Sequence, residues 1–146
     1  MIREARNSDI EGMAVLCKRF FENTTYPEYM DYSEEATVAT LDMLVNSDMG
    51  IAVVLEDSEE EVRGVALALV FPASLSKDLT AQELCWWCEV KGEGLGLLTL
   101  MEEIAEGKGA KSFMMLSLEH IAPERMDKIY KAKGYALSEH TYIRRL

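Results

Sequence analysis

Apolar residues along the chain switch repeatedly between a two-residue and a three-to-four-residue period. Ile2 to Ala5 reads as a short strand. Ser8 and Glu11 form a capping-box pattern, and Ile10, Met13, Ala14, Cys17 and Phe20 or Phe21 follow at helical spacing. Residues 22–32, "ENTTYPEYMDY", read as a loop. Ser33, with Glu34 and Glu35 behind it, starts a second helix whose stripe is Val38, Leu41, Leu44 and Val45. Strands follow at "GIAVVLE" and "EVRGVALALVF", joined by the solvated turn "DSEEE". After a loop over 72–80, "QELCWWCEV" reads as a strand by its aromatics, and a glycine-rich stretch leads into a helix ending near Gly107. "KSFMMLSLE" is a further strand, "PERMDKIYKAK" a short helix from Pro123, and "YALSEHTYIRRL" a last strand or hairpin. The order is β-α-α-β-β-β-α-β-α-β, one mixed α/β domain over residues 1–146 with no repeats or linkers.

Composition narrows this picture. At 49% apolar residues the chain can build a core without metal or disulfides. No apolar run approaches the roughly 18 residues of a membrane span. Met1 to Asp9 is too polar for a signal peptide, and three cysteines, an odd number, suit reduced thiols and a cytoplasmic setting. The net charge of −11 argues against nucleic acid and anionic membrane as partners and is compatible with a cationic one.

The informative stretch is "VKGEGLGLLTLMEEI", Val90 to Ile104. Glycines at 92, 94 and 96 stand directly ahead of a helix whose buried face is Leu97, Leu100, Met101, Ile104 and Ala105. A helix start carries unpaired N–H groups and a partial positive charge, and glycines let a ligand approach without a Cβ in the way. Strand, glycine loop, helix is therefore a phosphate cradle in outline. The dinucleotide fingerprint fails, because Leu97 or Thr99 falls where its third glycine belongs, and no Gly-Lys-Ser or Gly-Lys-Thr of a P-loop exists.

Lys91, Gly94 and Gly96 resemble the pyrophosphate-binding motif of the GNAT superfamily of N-acetyltransferases: Gln or Arg, two residues, Gly, one residue, Gly or Ala. The element order resembles that family along nearly the whole chain, and "IYKAKGY", Ile129 to Tyr135, looks like its late "LYEKLGF" segment. The resemblance implies a central, mostly antiparallel mixed sheet flanked by helices, and acetyl-coenzyme A as acyl donor. It implies that the amides of Lys91, Gly92, Glu93, Gly94, Leu95, Gly96 and Leu97 take the pyrophosphate. It also implies that the backbone around Trp86, Trp87 and Cys88 pairs with the pantetheine arm. Glu93 departs from the basic or small residue common there, and Pro123 stands where an asparagine is frequent.

"CWWC" invites a redox or metal reading. On a strand, residues three apart point to opposite faces, so Cys85 and Cys88 are poorly placed to pair or share a metal, and no zinc spacing exists elsewhere. No metal is expected. An amine attacking a thioester must be neutral and the leaving thiolate wants a proton, so a base and an acid are expected. Through the resemblance Tyr130 is the acid. Glu83, on one strand face with Cys85, Trp87 and Glu89 by alternation, is the favoured base; Glu119 ranks second, and His120 matches no motif.

The implied activity is N-acetyl transfer to a primary amine by direct attack. The alternative is a non-catalytic coenzyme A-binding or protein-interaction module with the same fold. The amine, a small molecule or peptide, would be cationic: Tyr26, Tyr29 and Tyr32, with Glu28 and Asp31, suit a cation by ring faces and charge. The same loop would equally serve as a homodimer contact or plain surface.

Overall fold

In the computed structural model, which describes residues 1–146, the five strands of the sheet lie side by side in sequence order. They are β1 (Ile2–Glu4), β2 (Gly50–Glu56), β3 (Val62–Pro72), β4 (Leu79–Cys88) and β5 (Ala110–Met114). The helices are α1 (Ile10–Glu22), α2 (Glu34–Asn46), α3 (Gly94–Gly107) and α4 (Pro123–Ala132). Neighbouring strands from β1 to β4 are antiparallel; β5 runs parallel to β4, as a crossover through α3 permits.

The sheet is covered on both faces, which is why β2 and β3 read as continuous apolar runs. On one face Ala52, Val54, Val65 and Leu67 pack against Met13, Leu16 and Phe20 of α1 and Leu41 and Leu44 of α2. On the other, Ile51, Val53, Leu55, Ala66 and Ala68 pack against Leu97, Leu98, Met101 and Ala105 of α3 and Tyr130 of α4. Burying each of the larger aliphatic chains contributes about 1.5–3 kcal/mol.

Local signals hold unevenly. Ser33 caps α2, its hydroxyl accepting the Ala36 N–H at 3.1 Å. Ser8 does not cap α1. Residues Asn7–Asp9 form a 3-10 turn, and the buried Asp9 carboxylate instead accepts the Arg6 N–H at 2.6 Å while paired with Arg3. In α2 Leu41 and Leu44 are buried, but Val38 is exposed.

The expected last strand does not form. Residues 136–146 make no backbone hydrogen bond and join no sheet. Neither alternate set of this segment is apolar throughout: Leu137 and Ile143 share a face with Glu139 and Arg145, and Tyr142 with His140 and Arg144. It therefore offers the edge of β5 no face worth burying. Its one polar attachment is Arg145, which reaches the Glu28 carbonyl and Asp31. The strand expected over "KSFMMLSLE" also stops early, at Met114.

Candidate functional site

Strands β4 and β5 pair only from Leu79–Ala110 to Gln82–Met114, and then part. Beyond the fork β4 continues to Cys88 beside β3 alone. Glu83 is the first residue past the split. It is buried, and its carboxylate accepts the Leu116 N–H at 2.9 Å. From α4, the Tyr130 hydroxyl donates to the Leu116 carbonyl at 2.6 Å. Burial pushes the Glu83 carboxyl up to about 7, against the opposing pull of the Leu116 hydrogen bond. Burial, and then the charge of Glu83, raise the Tyr130 phenol above its ordinary value. One carboxyl near neutrality and one phenol that holds its proton thus face the same fork.

Alternation along β4 is broken, which corrects the expected grouping of Glu83 with Cys85, Trp87 and Glu89. Leu67 lies opposite Cys85, but Ala68 lies opposite Glu83, so Leu84 is an extra residue. This bulge resets which side chains face which way. Glu83 stands opposite Ala68 on the α3/α4 face, whereas Cys85 and Trp87 pack on the α1/α2 face and Trp86 and Cys88 return to the α3/α4 face. Cys85 and Cys88 accordingly lie on opposite faces, as expected. Cys85 instead meets Cys17, and that hydrogen bond and burial hold its thiol well above the ordinary range.

At the far end of β4 the chain turns through Val90–Glu93 into α3. The amides of Lys91, Gly92, Gly94 and Leu95 have no partner in the chain. The expected donor set was wider. The Glu93 amide is taken by the Val90 carbonyl at 3.2 Å and the Gly96 amide by the Glu93 carbonyl at 3.1 Å, and Leu97 is fully buried in the core. The Glu93 side chain is exposed.

The three glycines do three different things, and only one leaves room for a ligand. Gly92 has φ +87°, and a Cβ there would meet nothing within 4 Å. A Cβ on Gly94 would point inward, 3.6 Å from Cys88 Cβ and 3.7 Å from the Trp86 ring. A Cβ on Gly96 would stand 2.4 Å from Ile2 Cδ1. Gly96 therefore lets α3 settle onto β1, whereas a Cβ on Gly94 would rest in ordinary contact with β4; neither glycine clears an outward path for phosphate.

An aromatic column joins the fork to the loop. The Trp86 ring lies 6.3 Å from that of Tyr130, which lies 5.7 Å from that of Tyr135. Tyr26 and Tyr32 are half-buried against Phe21, with Lys18 over the Tyr32 ring, and Tyr29 is half-buried in the same loop. Burial, and then the charge of Glu83, raise the Tyr26 phenol. Glu119 and His120 lie exposed in the 115–122 connection and not on a strand. No group of three His, Cys, Asp or Glu is arranged to hold a metal ion.

Neither a family sequence model nor a curated protein matches the chain. Solved structures do. AAC(6')-Iy, determined with the bisubstrate analogue CoA-S-monomethyl-acetylneamine, superposes with a TM-score of 0.77 at 13% identity over 100% of this chain and 97% of that one. A ribosomal-protein-alanine N-acetyltransferase from Brucella melitensis biovar Abortus 2308 gives 0.71 at 14% identity, covering 100% and 99%. A GNAT family acetyltransferase of Staphylococcus aureus subsp. aureus USA300_TCH1516 gives 0.69 at 16% identity, covering 100% and 98%. The chain has the GNAT fold. The likeness spans the whole chain, and no strand follows α4 in its sheet. Two of its features had no signal in the sequence. The Leu84 bulge leaves no mark on the apolar pattern, and Leu116, which joins Glu83 to Tyr130, acts through its backbone alone.

Proposed function

We propose that the protein is an acetyl-coenzyme A-dependent N-acetyltransferase acting on a primary amine by direct attack. The observation that carries this reading is the β4–β5 fork, with Glu83 and Tyr130 meeting at its base. Its other end is a loop with four unpartnered amides. The loop fits a pyrophosphate: Lys91, Gly92, Gly94 and Leu95 supply donors, α3 adds its positive end, and Gly92 leaves the outer side open. Charge-assisted hydrogen bonds of about 1.5–3 kcal/mol each outweigh a remote net charge that salt screens beyond about 8 Å. The unpaired edge of β4 beyond Gln82, around Trp86 to Cys88, would take the amides of the pantetheine arm.

The coenzyme supplies an activated acetyl thioester. Glu83, raised to about 7, would accept the proton of an ammonium acceptor, directly or through water. Tyr130 keeps its proton at neutral pH and would donate it to the leaving thiolate on turning from the Leu116 carbonyl. A cationic acceptor would approach past Tyr26, with Tyr29 and Tyr32 beside it, where the acidic balance of the chain favours it.

Thermal melting with ligands tests this first. Ligand at 100 times its dissociation constant adds about 2.7 kcal/mol, roughly 5–10 °C at this size. Acetyl-coenzyme A should raise the melting temperature by that amount, with NAD and ATP far behind; a flat titration would reject the reading. Polyamines, amino acids and lysine peptides should then be screened for turnover.

A further inference from the structure

The geometry points to Trp86 and Cys88 as positioning residues that hold two amides of the 90–95 loop turned outward toward an anion. This rests on the coenzyme reading above and assigns a role to the "CWWC" strand that neither redox nor metal chemistry fills.

Trp86 and Cys88 share the α3/α4 face of β4, directly under the loop. The Trp86 indole N–H donates to the Gly94 carbonyl at 3.1 Å, and the Cys88 thiol donates to the Val90 carbonyl at 3.3 Å. In a trans peptide the C=O and the N–H of the same unit point in opposite directions. The N–H groups opposite these two carbonyls belong to Leu95 and Lys91. Both are among the four amides without a partner in the chain. Fixing each carbonyl against the strand therefore aims its amide away from the strand. An indole can only donate, so it accepts no other orientation of the Gly94 peptide; the thiol is a weaker donor, so Trp86 dominates.

The test is Trp86→Phe, which keeps an aromatic ring on the strand and removes the donor together with the second ring of the indole. Coenzyme A affinity is read by calorimetry. Affinity for acetyl-pantetheine, which lacks the pyrophosphate, is read by ligand-observed NMR titration. The expected result is a roughly tenfold weaker dissociation constant for coenzyme A, the worth of about one charge-assisted hydrogen bond, with less than a twofold change for acetyl-pantetheine. Cys88→Ala should show the same selectivity with a smaller loss, and it carries the test should Trp86→Phe not fold. Equal losses for both ligands would make these residues merely structural and overturn the assignment, as would unchanged coenzyme A affinity. A parent chain that binds no coenzyme A would overturn the coenzyme reading itself, and the positioning role with it.

Discussion

Glu83 and Tyr130 grip opposite ends of one residue, the carboxylate accepting the Leu116 N–H and the phenol donating to the Leu116 carbonyl. The proposed base and acid are thereby tied to a single backbone position in the 115–122 connection. A shift of that segment moves both.

Glu83 should leave a mark on stability against pH. Its carboxyl rises from 4.5 to about 7 on folding, so between those values the folded chain holds a proton that the unfolded chain has released. The contribution is complete below pH 4.5 and is lost as pH rises through about 7. The loss is about 1.4 kcal/mol per pH unit, on the order of 3 kcal/mol in all. Urea denaturation from pH 4.5 to 8 should show this decline in the parent. Glu83→Gln, which can still accept the Leu116 N–H, should abolish it.

The same substitution should lower kcat/KM about 100-fold or more and remove a rising limb of the pH profile centred near pH 7. An intact limb in the variant would assign the base elsewhere.

For Tyr130→Phe we expect a fall in kcat of about 100-fold with coenzyme affinity nearly unchanged. Loss of the bond to the Leu116 carbonyl should also cost about 1 kcal/mol in denaturant melts. Parental turnover across pH would leave Tyr130 with the structural role alone.

Among the glycines, Gly92→Ala should weaken coenzyme A binding most per atom added, because its methyl enters the open outer side and its positive φ is strained. Calorimetry of Gly92→Ala against Gly96→Ala checks this. The second variant changes packing on β1 and not the outer surface.

That packing is measurable on its own. Ile2→Val removes the Cδ1 atom that a Gly96 Cβ would meet. Its usual cost of about 0.5–1.5 kcal/mol should shrink or reverse in a Gly96→Ala background, a coupling that a double-mutant cycle of thermal melts reads directly.

Much of this fold was legible because both sheet faces are covered, so helical stripes and apolar strands carry strong periodic signals. β2 at "GIAVVLE" and α4 from Pro123 fall where the pattern puts them. The terminal segment misled because β-forming residues such as Tyr142 and Ile143 say nothing of whether a face exists to bury them. At the site, the glycine stretch pointed to the right loop but not to the roles within it. Gly94 and Gly96 answer to Trp86, Cys88 and Ile2, contacts that only the folded chain brings together. Glu83 was identifiable as an acid on β4, yet its face depends on a count of residues across two strands.

That count makes Leu84 a spacer whose presence matters more than its chemistry. Its side chain is among the exposed apolar ones, so exchange for another strand-forming residue should pass almost unnoticed. Removing it would leave Glu83 opposite Ala68 and Cys85 opposite Leu67 as adjacent residues, a regular ladder without the bulge. Trp86 and Trp87 would keep their present faces, and what the strand would lose is the local bend that the extra residue gives it where β5 parts from it. What this position hands down is therefore a bend in the strand, supplied by one residue more than its partner strand has to match it.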